Sequence, residues 1–82
     1  MPIDVVCVEA VDTFRGSSFW EVTGTTARGE FLRFTTNSSF KAALCLRSKA
    51  RGLRVVIGWM DSRHYGRNII SVALEEESVH VG

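Results

Sequence analysis

One block of this chain, NSSFKAALCLRSKARG at residues 37 to 52, is patterned for a helix, and the long runs on both sides of it are patterned for strands. Asn37 and Ser38 are candidate N-caps, because a side-chain oxygen there takes up a free backbone N–H of the first turn. Gly52 is a natural residue just past the C-terminus, and Lys49 and Arg51 in the last turn favour the negative end of the helix dipole. Phe40, Ala43, Leu44, Leu46 and Ala50 cover one broad arc, the face that an amphipathic helix turns to its core, with Lys41, Ser48 and Lys49 opposite. Arg47 and Arg51 fall in the same arc as Phe40 and Leu44, and are expected at a rim, paired with Glu30, Glu75 or Glu76. Pro2 is the only proline, so none interrupts an element.

Before the helix lie three strand patterns. Ile3 to Val11 is rich in β-branched residues, but apolar side chains occur at both parities, as in a strand buried on both faces or one carrying a bulge. DTFRGSS reads as a loop around Gly16. FWEVTGTTA follows, with Trp20 and Val22 pointing one way and Phe19, Glu21 and Thr23 the other; either Trp20 or Phe19 faces inward. A turn at 27 to 29 leads into EFLRFTT, with Leu32 and Phe34 on one face and Phe31 and Arg33 on the other. After the helix come LRVVIGWM and NIISVAL. Val55, Ile57 and Trp59 share one face, Ile70, Val72 and Leu74 another, and Trp59 is expected in the core. The loop between these strands, residues 60 to 68, is crowded with Arg63, His64, Tyr65 and Arg67. Residues 76 to 82 read as a frayed tail or an edge on a single domain spanning 1–82.

The order is β-β-β-α-β-β, a mainly β chain, and it resembles the OB-fold, a five-stranded barrel with a helix between its third and fourth strands. The likeness is one of topology over almost the whole chain and includes no sequence motif. The alternative is an open α+β sheet with the helix across one face.

Net charge is +1, which removes the simplest nucleic-acid signal, a strongly basic chain. Its distribution is uneven. All ten cations lie between residues 15 and 67, and eight of them are arginine, the side chain suited to forked phosphate contacts and stacking. Asp4, Glu9 and Asp12 gather at one end of the chain and Glu75, Glu76 and Glu77 at the other. The start of the sequence has neither a signal-peptide pattern nor a membrane span, and a cytoplasmic location is expected. Cys7 and Cys45 are flanked by apolar residues and are expected to be reduced and buried, a disulfide being the lesser reading.

Little here points to catalysis. Cys7, Cys45, His64 and His80 lack the close spacing of a structural zinc site, so no metal and no cofactor is expected. Apolar surroundings raise a thiol pKa, the opposite of what a cysteine nucleophile needs. No nucleophile elbow or phosphate-cradling glycine loop occurs, and Asp12 and Asp61 read as turn residues rather than a carboxylate pair. The chain is expected not to be an enzyme.

The arginines and rings are more informative. The OB resemblance implies a ligand surface across strands two and three, between the loop joining strands one and two and the loop joining strands four and five. Mapped onto this sequence, the candidate nucleic-acid-binding residues are Arg15, Trp20, Arg28, Phe31, Arg33, Arg63, His64, Tyr65 and Arg67. Flat rings offer stacking platforms for unpaired bases, and guanidinium groups offer forks for phosphate. The leading expectation is a module that binds single-stranded DNA or RNA. The alternatives are a protein-interaction module of a larger assembly and a binder of a small molecule or oligosaccharide in the same groove. A continuous positive stripe would favour nucleic acid, and an uncharged apolar patch would favour protein.

Overall fold

The computed structural model describes residues 1–13 and 18–75. Its elements are β1 (Ile3–Thr13), β2 (Trp20–Thr26), β3 (Phe31–Thr36), α1 (Ser39–Arg51), β4 (Val55–Ser62) and β5 (Gly66–Leu74). The strands close into a barrel in the order β1-β2-β3-β5-β4, with β4 returning to β1. Every pairing is antiparallel except that of β3 with β5. A closed five-stranded barrel with one helix between β3 and β4 is the expected fold class, and it is compatible with an OB-like fold. Closure rules out the open-sheet alternative.

The mixed parity of β1 has its cause in a register shift between Val8 and Ala10. Val6 and Val8 point inward before the shift, and Val11 packs on the core after it. The same parity turns Cys7 outward, so the expectation that both cysteines are buried fails there: Cys7 is exposed, and Cys45 is buried, both as free thiols. Strands also reach further than expected. Asp12 and Thr13 belong to β1, Asp61 belongs to β4, and only residues 63 to 65 remain as the β4–β5 turn.

Val6, Val8, Val22, Phe34, Cys45, Val55, Ile57 and Ile69 form the core, with Val11, Leu32, Trp59 and Val72 packed around it. Trp59 is half-buried at the edge of this cluster, its ring 6.4 Å edge-on from Phe34. Where β1 crosses β2 the backbones come so close that a Cβ on Gly24 would lie 2.3 Å from Val6 Cγ1 and 2.5 Å from the Cys7 carbonyl oxygen. Only glycine fits there.

The helix ends are as read. Ser38 is the N-cap, its hydroxyl accepting from the Lys41 N–H, and Gly52 closes the helix at φ 66°, where a side chain would be strained. The buried face is not as read. Ala42, Cys45 and Ser48 meet the barrel, while Phe40 is 71% and Leu46 50% exposed. Small residues let the helix axis come close to β1 and β5, where bulky ones would hold it off. Ser48 is accommodated because its hydroxyl donates to the Cys45 carbonyl 2.8 Å away. The partners expected for Arg47 and Arg51 are also taken: Glu30 pairs with Arg28, and Glu75 with Arg54. Glu76, like the rest of the 76 to 82 tail, lies outside the described residues. Among the described residues no helix is long and apolar enough to cross a membrane.

Candidate nucleic-acid interface

The outer face of the β2–β3 hairpin is set by strand alternation. Val22 and Phe34 point into the barrel, so alternation sets Glu21, Thr23 and Thr25 of β2 and Phe31, Arg33 and Thr35 of β3 on the opposite face, where Thr23 and Thr35 are themselves covered. In register they form three rows: Glu21 opposite Thr35, Thr23 opposite Arg33, Thr25 opposite Phe31. Phe31 is 59% exposed.

A cluster of rings closes one end of this face. Arg63, His64 and Tyr65 make the three-residue turn between β4 and β5, and Gly66 after them has φ 70°. The turn is tied to β3 by Thr35, whose hydroxyl lies 3.2 Å from the Tyr65 carbonyl oxygen and 3.4 Å from that of Arg67. Tyr65 in turn stacks on Phe19, with centroids 4.3 Å apart and planes at 22°, and His64 meets Tyr65 edge-on at 6.2 Å. Phe19 immediately precedes β2, so this stack joins the β1–β2 connection to the β4–β5 turn.

The nine candidate residues do not all converge. Tyr65, His64 and Arg63 are exposed in one turn; Phe31 and Arg33 lie on the adjoining face. Arg28 sits beyond the far end of β2 from Phe19, paired with Glu30 at 2.9 Å. Trp20 shares the inward parity of Val22, opposite the buried Thr36, and is half-buried at the barrel's end; of the pair Phe19 and Trp20, Phe19 joins the cluster. Arg67 is half-buried, its guanidinium 5.1 Å over the Trp59 ring, and its Nε is buried with no hydrogen-bond partner among the described residues. Arg15 lies outside the described residues.

The sign of the face also differs from expectation. Antiparallel pairing lays β1 along β2, so Glu9 and Asp12 come onto the same surface. Asp12 stands opposite Glu21, and Glu9 accepts a hydrogen bond from the Thr25 hydroxyl. Arg33 Nε lies 3.5 Å from the Glu21 carboxylate. Among the described residues the face is therefore of mixed charge, with Arg33 partly neutralised, and carries no continuous positive stripe. Glu21 is the residue that sequence reasoning passed over, although alternation already put it on the outer face beside Phe19 and Thr23.

Among the described residues no cluster of three or more His, Cys, Asp or Glu is placed to hold a metal ion. Burial pushes the Cys45 thiol up to about 11, which leaves it protonated and unreactive at neutral pH. Comparison with protein-family models, curated proteins and solved structures returns no match, so the geometry of this surface alone supports a functional reading.

Proposed function

We propose that the protein is a non-enzymatic module that binds single-stranded nucleic acid, in an OB-like manner, in the cytoplasm. The observation that carries this is the Phe19–Tyr65 stack at the junction of the β1–β2 connection and the β4–β5 turn. It holds the Tyr65 ring 45% exposed, flanked by the exposed Arg63 and His64, and Phe31 offers a second exposed ring further along β3. A pre-stacked ring loses little freedom when a base adds to it, and base stacking is sequence-tolerant. The OB-like topology contributes an analogy of fold only. An exposed free Cys7 suits a reducing compartment.

Charge plays a smaller part than the sequence suggests. With Arg28 and Arg33 beside carboxylates and Arg67 over Trp59, Arg63 is the arginine left open among the described candidates, so log affinity should fall against log salt with a slope near −0.7, roughly that of one contact. Titrating a fluorescent oligothymidylate at low salt is the test. Binding that drops by about 1–3 kcal/mol in Tyr65→Ala with the salt slope unchanged supports the reading. Absence of binding at high micromolar protein overturns it and leaves the protein-interaction module.

One observation favours a second reading, an oligosaccharide ligand. Glu9 bonds to Thr25 in the row of Phe31, and Asp12 and Glu21 stand as a pair further along β2, in the row of Thr35. Carboxylates accept hydrogen bonds from sugar hydroxyls, and a ring packs on the apolar face of a sugar.

A further inference from the structure

The helix α1 is inside out for a free-standing domain. It buries Ala42, Cys45 and Ser48 and leaves its bulkiest apolar side chains, Phe40 and Leu46, in solvent. Phe40, Ala43, Leu44 and Arg47 follow the i, i+3, i+4, i+7 spacing that makes one stripe on a helix surface. Those four residues line a shallow groove of about 230 Å³. An exposed apolar stripe of this kind, bordered by polar groups, marks a surface that another molecule covers.

Charge narrows the choice of occupant. The helix SFKAALCLRSKAR holds Lys41, Arg47, Lys49 and Arg51 and no carboxylate. The ion pairs among the described residues are Arg28–Glu30, Arg33–Glu21 and Arg54–Glu75, so none of the helix cations is neutralised by a described carboxylate. A second copy docked helix to helix would bring like charges together with no acid to offset them. A bilayer suits a helix whose cations flank its apolar stripe, but here Arg47 lies within the stripe and would be carried into the acyl region. An apolar groove with guanidinium groups along it matches a helix with apolar anchors and carboxylates beside them.

We propose that the outer face of α1 is a docking site for an acidic amphipathic helix of a partner protein, seated on Phe40 and Leu44 and paired with Arg47 and Arg51. The site lies on a different element from the ring cluster and does not depend on the nucleic-acid reading. It would let the module be held on a larger assembly while its barrel face is engaged elsewhere.

The test uses the full chain and synthetic peptides of roughly three heptads. One carries leucine at the two seam positions and glutamate beside them; a second has the same composition scrambled; a third replaces glutamate by lysine. Vesicles of phosphatidylcholine with phosphatidylglycerol form a separate arm. The patterned acidic peptide should bind best, with amide shifts centred on Phe40, Ala43, Leu44 and Arg47. Phe40→Ser and Arg47→Glu should each weaken it by about fivefold or more, as loss of an anchor does, with an unchanged circular dichroism spectrum because both side chains are exposed. Equal binding of patterned and scrambled peptides overturns the proposal, as do shifts confined to another surface. Binding to the anionic vesicles without binding to the patterned peptide overturns it in favour of a membrane surface.

Discussion

The indole of Trp59 donates from Nε1 to the Asp4 carboxylate at 2.7 Å, joining the start of β1 to the middle of β4. The same region carries a second tie, from the Trp59 backbone N–H to the Pro2 carbonyl oxygen at 3.0 Å. Arg67 covers the ring and Phe34 meets it edge-on, so one side chain joins the barrel seam, the core and β5. Trp59→Ala should cost about 3 kcal/mol, the low end for a large aromatic because the ring is only half-buried. Trp59→Phe keeps most of the packing and leaves Asp4 without its donor, and should cost about 1–2 kcal/mol. Urea melts of both, with Asp4→Asn to complete a cycle, measure the coupling. A Trp59→Phe protein as stable as the parent would remove the hydrogen bond from the account.

Glu21 distinguishes the two ligand readings. It holds Arg33 and stands opposite Asp12, so it both neutralises the face's guanidinium and adds to a like-charge pair. Glu21→Gln should release Arg33 for phosphate. Oligonucleotide affinity should then rise severalfold, and the salt slope should steepen by about 0.7, one contact. Stability should hold or improve slightly. A sugar ligand predicts the reverse, a loss of affinity on removing an acceptor. Isothermal titration of the parent and the variant decides between them.

The limits of α1 were legible because capping chemistry is local: Ser38 and Gly52 act on their own neighbours. Its orientation was not, because the rule that large apolar side chains face inward assumes the space exists. Phe34, Val6 and Ile57 already fill the barrel, leaving room beside Cys45 only for Ala42 and Ser48. The candidate surface was legible to the same extent. Alternation put Phe31, Arg33 and Glu21 on one face, but the contribution of Glu9 and Asp12 depends on the β1–β2 register, which shifts between Val8 and Ala10 and which alternation alone does not give. The stacking of Arg67 on Trp59 depends likewise on the β4–β5 register, shifted between Gly58 and Trp59, and it takes into the structure an arginine that the sequence assigns to ligand.

The two thiols should behave differently under a thiol reagent. Cys7 faces out from β1 and should label rapidly in the native protein; Cys45 is fully buried and should label only on unfolding. Mass spectrometry of a timed reaction would show one fast adduct and one slow. Two fast adducts would mean that α1 opens readily from the barrel.

Cys45 also sets an alkaline limit. Burial raises its thiol from the ordinary 9.0 to about 11, so the folded state favours the neutral form. The resulting stability is fully present below pH 9 and is lost as pH rises from about 9 to about 11, where the unfolded chain ionises first. The loss across that window should be on the order of 2 kcal/mol. Other groups titrate there too, so the measurement is the difference between the parent and Cys45→Ala. Denaturant midpoints of the parent should fall more steeply above pH 9, and parallel curves would rule out this role for Cys45.

Two glycines with similar crowding should respond differently to alanine. At Gly24 the added Cβ meets Val6 Cγ1 at 2.3 Å and the Cys7 carbonyl oxygen at 2.5 Å, and the carbonyl belongs to a paired strand that cannot move alone. At Gly58 the neighbours are Ser71 Oγ at 2.5 Å and Met1 Cε at 2.9 Å, both of which can turn aside. Ser71 is exposed and has other rotamers, and Met1 Cε is the far end of a long side chain on a residue that is 64% exposed. Gly24→Ala should therefore cost about 3 kcal/mol or more, at the upper end for overpacking, because it forces β1 away from β2. Gly58→Ala should cost less than about 1 kcal/mol, since a strand also favours alanine over glycine in backbone entropy. Thermal melts of the two variants give the ordering directly. Equal losses would mean that the β1–β2 crossing is looser than the 2.3 Å approach implies, and that the barrel tolerates a wider seam there.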